Sequence, residues 1–169
     1  MIANNQIDRK FAKIWSSVLN QADETLKNSG VFCLSERNDS ILMWSHYANN
    51  HEGFCIEFER NTDNDFGDYE KTRKVRYVSE YPIINPLDLK AYDFKFFRKA
   101  ADWKYEKEWR LLNEQGNVTI SLNIRVSAII FGINMTRQQK TVLKKIMPNI
   151  QYQQCTKAYN QFGLKIVDI

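Results

Sequence analysis

The chain has the length and composition of one ordinary globular domain. It contains 169 residues, of which 43% are hydrophobic, 13% are aromatic and 26% are charged, so it is far from a disordered chain and has enough apolar material for a core. The net charge of +4 and the pI of about 8.9 are mildly basic. Without a concentrated Lys/Arg face this gives no strong nucleic-acid signal.

The cysteines and the hydropathy favour a reducing compartment inside the cell. Cys33, Cys55 and Cys155 stand singly, without C-x-x-C spacing, which is typical of reduced thiols rather than of a disulfide framework. Residues 1–13 lack the apolar stretch and the cleavage site of a signal peptide. No apolar run is long enough to cross a bilayer. We therefore expect a cytoplasmic protein with no membrane association.

Hydrophobic periodicity predicts helices and strands in alternating groups along the chain. Spacing of i, i+3, i+4 and i+7 indicates amphipathic helices, and runs with period two indicate strands. A polar loop is expected over residues 60–70. The predicted helices are 6–27, 40–47 after a cap at Asp39 or Ser40, 87–101, and 136–147 after a cap at Thr136. The predicted strands are 31–35, 54–59, 75–78, 105–112, 118–122, 125–131, 150–155 and 164–167.

The order of these elements predicts an α+β fold with a mixed, mainly antiparallel sheet and helices packed on it. The chain shows no repeat, no low-complexity segment and no linker. We therefore expect one domain spanning residues 1–169. Its parts would be an N-terminal helix (1–28), a core (31–133), and a C-terminal helix with strands (134–169).

The first polar-aromatic cluster lies in residues 44–53, W-S-H-Y-A-N-N-H-E-G. On an ideal helix Trp44, Tyr47 and His51 share one stripe, whereas His46 points elsewhere. The two imidazoles would be about 140° apart, so no metal site is expected. Two interpretations stay open. The aromatic rings belong to the core and the histidines cap the helix end, or the rings form a concave rim for a planar ligand whose polar groups the imidazoles bind.

The second cluster lies in residues 103–110, W-K-Y-E-K-E-W-R. Strand alternation predicts that Trp109 is buried and that Glu108 stays at least partly accessible to solvent. The residues expected on the outward face are Glu106, Glu108 and Arg110. An arginine beside a carboxylate favours its ionised form, and an ionised glutamate can bind a ribose hydroxyl or stabilise an oxocarbenium ion. The alternative is a solvent-facing row with weak ion pairing.

Several of these segments resemble a widespread bacterial family called domain of unknown function 2971. The similarity covers roughly residues 31 to 133 and names a family without naming an activity. The matching positions are 32–35, 42–48, His51, 53–58, 75–77, Lys99, 103–110 and 129–132. Family members usually begin with a tyrosine-rich strand, where this chain has the predicted helix. We therefore expect a shortened version of the family, or one whose first strand another chain supplies.

A more distant resemblance is to the ADP-ribosyltransferase layout, in which a serine strand and a glutamate strand flank a nicotinamide cleft. It implies NAD as a substrate and no metal. Ser35 would occupy the serine strand, and Glu108 would polarise the ribose 2′-hydroxyl and stabilise the oxocarbenium ion. Glu106 would position or deprotonate the acceptor. The candidate ligand-binding residues are Trp44, His46, Tyr47, His51 and Arg110.

Three functions stay open at the level of the sequence. The first is an ADP-ribosyltransferase-like enzyme or toxin, or a degenerate NAD-binding relative that is inactive because the first strand is missing. The second is a non-catalytic regulatory domain in a phage-defence or stress setting, which binds a small molecule or a protein acceptor. The third, a metal-dependent nuclease using Glu57, Glu59, Glu106 and Glu108, is disfavoured because no E-x-K follows a paired acidic residue. The oligomeric state is not indicated.

Overall fold

The computed structural model of the chain describes residues 27–81 and 95–169, together with residues 13, 16, 17, 20 and 24. The scattered positions described before residue 29 are helical, which agrees with the predicted N-terminal helix. The apolar positions on which that prediction rests lie outside the described residues. So does the first part of the helix predicted from residue 87.

Besides the helical positions before residue 29 and at residues 95 and 96, the described part of the chain contains nine strands, two α-helices and a short 3₁₀-helix. The helices are α1 (Ile41–Tyr47), the 3₁₀-helix (Ala101–Glu106) and α2 (Arg137–Ile146). The strands are β1 (Gly30–Ser35), β2 (Phe54–Phe58), β3 (Thr72–Lys74), β4 (Arg76–Val78), β5 (Arg98–Ala100), β6 (Glu108–Asn113), β7 (Val126–Phe131), β8 (Gln151–Lys157) and β9 (Leu164–Asp168).

The described strands form three sheets. A three-stranded antiparallel sheet has the order β1-β6-β3, and a four-stranded sheet has the order β2-β7-β8-β9. In the four-stranded sheet only β7 and β8 run parallel, and β4 and β5 form a small parallel pair. The predicted α+β class with mixed, mainly antiparallel pairing is confirmed.

Strand β7 lies at the centre of the core because both of its faces are covered. Residues 128–131, A-I-I-F, are all buried, as expected for a continuous apolar run in a doubly covered strand. Ile130 packs against Trp44 of α1, whereas Phe131 belongs to the cluster that Leu143 of α2 covers. The two α-helices therefore lie on opposite faces of the four-stranded sheet.

Three predicted elements differ from the structure. The helix predicted to reach residue 101 ends at residue 96 and is followed by strand β5 and the 3₁₀-helix, because residues 98–100 pair with β4. The strand predicted from residue 105 begins at Glu108. Residues 118–122 are irregular despite their strand-like alternation, since they have no ladder partner among the described strands. Strand β3, which the polar sequence T-R-K hides, was not predicted.

Candidate functional site

A network of charged side chains is buried where β6 meets β5 and the 3₁₀-helix. Glu106 and Glu108 are only 2% and 5% exposed. The Lys99 Nζ atom donates to Glu106 Oε2, and it lies 3.2 Å from Glu108 Oε2. Arg110 donates to both oxygens of Glu108, from Nε at 2.8 Å and from Nη2 at 3.1 Å. Two carboxylates are thus matched by two cations, which is how buried charges are tolerated.

Two tyrosines complete this buried network. The Tyr47 hydroxyl donates to Glu106 Oε1 at 2.8 Å, and the Tyr77 hydroxyl accepts from the backbone N–H of Glu108 at 2.8 Å. The hydrogen bond to Glu106, followed by burial, raises the pKa of Tyr47 to about 12. Burial alone would raise the pKa of Glu108, but hydrogen bonds from Arg110 and Cys33 and the Arg110 charge lower it below its ordinary value. Glu108 is therefore ionised at neutral pH.

The prediction of an outward-facing, solvent-accessible row of Glu106, Glu108 and Arg110 is wrong. The alternation on β6 itself holds, because Glu108 and Arg110 share one face. That face is covered by side chains from β4 and β5, however, so Glu108 is buried while Trp109 is only half-buried. Glu106 does not lie on the strand at all. It ends the 3₁₀-helix, and Lys107 then turns the chain in a left-handed conformation with φ 46°.

The first cluster is divided between the core and the surface. Trp44 is 3% exposed and donates from Nε1 to the Asn38 carbonyl at 2.7 Å. Its ring stacks with that of His51, with the centroids 6.4 Å apart. Trp44 is thus a core residue, as the first interpretation holds. The predicted helical stripe does not extend to His51, since α1 ends at Tyr47 and His51 has φ 69°.

His46 and Tyr47 are neighbours at the end of α1, beside the buried network. Tyr47 is 63% exposed although its hydroxyl reaches Glu106. The His46 ring lies 6.4 Å from that of Tyr47 and 6.3 Å from that of Trp103. Trp103 in turn covers the Lys99 ammonium, which lies 4.9 Å from its ring centroid. The exposed surface of the network is therefore aromatic.

The three candidate catalytic residues are neighbours in the fold. Ser35 pairs with Glu108 across β1 and β6, and its hydroxyl donates to the Glu106 carbonyl at 2.6 Å. It also accepts from the Arg37 N–H at 3.0 Å. The hydroxyl is thus engaged by the backbone, and the two carboxylates by Lys99, Arg110 and Tyr47. The three residues are thus adjacent, and each of these polar groups already has a partner.

A cleft of about 380 Å³ lies between the three-stranded sheet and strand β2. We call it the inter-sheet cleft. Its volume is within the range of small-molecule sites, which combine aromatic walls with a few polar groups. The aromatic walls are Phe58, Phe66 and Trp109, and the polar groups include Ser35, Glu57 and Arg60. Neither Glu106 nor Glu108 lines it.

Sequence reasoning missed most of this cleft. The nuclease hypothesis groups Glu57 with Glu59, yet a register shift between Glu57 and Phe58 separates them. Glu57 is half-buried in the cleft, whereas Glu59 is exposed. Arg60 and Phe66 lie in the loop predicted only as polar. The one sequence feature that distinguishes them is composition, since Arg60 precedes and Phe66 interrupts a segment rich in Asn and Asp residues.

A second cavity, of about 430 Å³, includes His51. The Ser45 hydroxyl donates to the Ile41 carbonyl at 2.9 Å and lies 3.0 Å from His51 Nε2. Nδ1 is buried and has no hydrogen-bond partner in the described part of the chain. The His51 ring is therefore tied to α1 through the Ser45 hydroxyl.

Neither a metal-binding cluster nor a membrane-spanning helix is found among the described residues. No three His, Cys, Asp or Glu side chains come together there as they would around a metal ion. Of the four glutamates of the nuclease hypothesis, Glu106 and Glu108 share the buried network, whereas Glu57 lies in the inter-sheet cleft and Glu59 is exposed. Within the same residues, no helix has both the length and the apolar composition that a bilayer crossing needs.

Comparison with known proteins identifies one family. No curated protein and no solved structure matches the chain. The sequence model of a family described as "Protein of unknown function (DUF2971)" matches residues 43–111. This segment runs from α1 to β6 and includes every charged residue of the buried network. Over residues 43–111 the chain is therefore similar to the DUF2971 family of proteins of unknown function.

Proposed function

We propose that this domain binds a small organic ligand with a planar ring in the inter-sheet cleft. The observation on which the proposal rests is the cleft itself, in which Trp109, Phe58 and Phe66 stand beside acidic and basic side chains. The planar guanidinium of Arg60 already packs on the Trp109 ring, at 4.1 Å from the ring centroid. A flat ligand can take up the same kind of contact.

The buried network positions the wall of this cleft. Trp109 lies in β6 between Glu108 and Arg110, whose side chains are held on the opposite face of the strand. On the cleft side, the indole Nε1 donates to Glu36 Oε1 at 2.6 Å. The ring is therefore fixed from both directions. Preorganisation of this kind lowers the entropic cost of binding.

NAD is the first ligand to test, because the resemblance to ADP-ribosyltransferases implies it and because it has two planar rings. We expect NAD or its fragment ADP-ribose to raise the melting temperature of the wild-type chain and to give a saturable binding isotherm by calorimetry. Trp109→Leu should abolish both effects. Trp103→Leu is the matched control, since Trp103 lies outside the cleft. Absence of binding by NAD, ADP-ribose, AMP and GMP to the wild type would overturn the proposal.

NAD cleavage is the second candidate function, favoured by the adjacency of Ser35, Glu106 and Glu108. It requires Glu108 to leave Arg110 and Lys99, because a catalytic carboxylate must reach the ribose. Labelled NAD is incubated with the wild type and with Glu108→Gln, whose folding is checked by circular dichroism. Nicotinamide release that is lost in the folded variant supports an enzyme. Binding without release by the wild type leaves a binding domain.

A further inference from the structure

The inter-sheet cleft contains one anion and one cation that have no ion-pair partner among the described residues. Glu57 accepts only from neutral groups, Asn38 Nδ2 at 3.2 Å and Ser127 Oγ at 3.1 Å. Arg60 donates from Nε to the Phe66 carbonyl at 2.7 Å, and its guanidinium otherwise lies over aromatic rings.

The other charges at the cleft are already matched. Glu36 Oε1 accepts from Lys74 Nζ at 2.7 Å, and Arg37 Nε donates to Asp39 Oδ1 at 2.8 Å. Hydrogen bonds from Lys74 and Trp109 lower the pKa of Glu36, so this pair keeps its charges at neutral pH. The unmatched groups are thus one negative and one positive charge beside a rigid indole.

The remaining hydrogen-bonding capacity of Glu57 defines what it can recognise. Each carboxylate oxygen has two lone pairs, and Asn38 and Ser127 each use one oxygen. One acceptor position is left on each oxygen, which suits an amino group or two adjacent N–H donors on a ring edge. A half-buried carboxylate accepts such donors strongly, since charge-assisted hydrogen bonds exceed neutral ones.

Arg60 defines the other end of the ligand. Its guanidinium is a planar fork of donors that matches phosphate geometry and also stacks on aromatic rings. It is exposed, and the Phe66 carbonyl engages only Nε. The two terminal nitrogens can therefore bind an anionic group at the mouth of the cleft without breaking that hydrogen bond.

We propose that the ligand is a purine nucleotide with an exocyclic amino group. This inference rests on the ligand site proposed above. The amino group donates to Glu57, the purine ring lies against Trp109, and Arg60 binds the phosphate. The volume of about 380 Å³ falls in the range that holds a small organic ligand. The unmatched anion and cation of the cleft then each acquire a partner.

Calorimetric titration of the full chain with four compounds tests this assignment. AMP and GMP have the amino group and the phosphate, IMP lacks the exocyclic amine, and adenosine lacks the phosphate. We expect AMP or GMP to bind at least about tenfold more tightly than IMP, a difference of about 1.4 kcal/mol. We expect a similar loss for adenosine relative to AMP.

Two variants assign these preferences to the two side chains. Glu57→Gln should bring the affinity ratio of the amino nucleotide to IMP close to one while preserving the preference for phosphate. Arg60→Gln should abolish the preference for the phosphate while preserving the preference for the exocyclic amino group. The matched controls are Glu59→Gln and Arg125→Gln, because these residues form an exposed ion pair at 3.7 Å beside the same strand. A ratio measured within one variant is insensitive to its stability.

The outcomes separate this inference from the function on which it rests. If IMP binds as tightly as AMP and GMP, or if Glu57→Gln and Arg60→Gln behave like their controls, the ligand class is wrong and the binding cleft remains. If neither the nucleotides nor NAD nor ADP-ribose binds to the wild type, the proposed function fails as well.

Discussion

Glu108 lies between Arg110 and Lys99 with almost no access to bulk water, so its charge is neutralised by these two side chains alone. The sequence alone marks Glu108 as a candidate site residue, because it lies in the polar-aromatic cluster of residues 103–110. Its surroundings could not be predicted, since Lys99 and Tyr77 are brought to it by the β4–β5 pair. Strand periodicity gives the face of a side chain but not what covers that face.

We expect Glu108→Gln to lower the free energy of unfolding at pH 7 by about 3–5 kcal/mol. Removal of one member of a buried ion pair leaves the other charges uncompensated in a poorly solvated site. Urea denaturation followed by circular dichroism measures the change. Glu59→Gln is the control, because the exposed pair with Arg125 should contribute at most about 1 kcal/mol. Equal effects of the two substitutions would contradict a structural role for the network.

The same variant has a defined pH dependence. The folded-state pKa of Glu108 lies below the ordinary value of 4.5, so its stabilising contribution is fully present above that value. It is lost as the pH falls through the folded-state pKa. The stability difference between wild type and Glu108→Gln should therefore be constant from pH 7 to pH 6 and shrink below about pH 4.5. A difference that grows in acid would contradict this assignment.

At the scale of elements, the accurate predictions are those with local signals. Ser40 caps α1 by accepting from the Met43 N–H, and Thr136 begins α2 with a capping box. Each of these capping signals lies within four consecutive residues. The boundary near residue 98 has no such signal, because β5 exists only through its pairing with β4. There tertiary context overrides a helix-like spacing.

We expect Thr136→Ala to lower the free energy of unfolding by about 1 kcal/mol. Its hydroxyl accepts from the Gln139 N–H at 3.3 Å, and the Gln139 side chain accepts from the Thr136 N–H at 2.9 Å. Thr141→Ala is the control within α2. Its hydroxyl donates only to the Arg137 carbonyl, and alanine has the higher helix propensity. A loss as large for Thr141→Ala would show that the cap makes no specific contribution.

At the scale of the whole molecule, the sequence predicted the α+β class but not the separation into sheets. β1 and β2 are neighbours in the chain, and both read as short apolar strands. Yet β1 pairs with β6 and β2 pairs with β7, which places them in different sheets. The inter-sheet cleft exists only because of this separation. Pairing over such sequence distances leaves no periodic signal, so the side chains that line the cleft could not be grouped beforehand.

The four-stranded sheet is joined to the loop after α1 through Gly132, directly beyond β7. The Gly132 N–H donates to the Gly53 carbonyl at 2.9 Å, and the Asn134 N–H donates to the His51 carbonyl at 3.0 Å. A Cβ atom on residue 132 would lie 2.1 Å from the His51 oxygen and 2.7 Å from that of Gly53. These are backbone atoms, so they cannot move aside as the end of a side chain can.

Gly132→Ala should therefore lower the free energy of unfolding by about 1–3 kcal/mol, the range for overpacked sites. Gly163→Ala is the matched control, because a Cβ atom there would meet its nearest neighbour, the Ala158 Cβ, at an ordinary 3.6 Å. Urea denaturation of both variants measures the difference. Since the loop at residues 51–53 leads directly into β2, displacement by Gly132→Ala should also weaken ligand binding in the inter-sheet cleft. Equal stability of the two variants would mean that β7 and this loop can separate without cost.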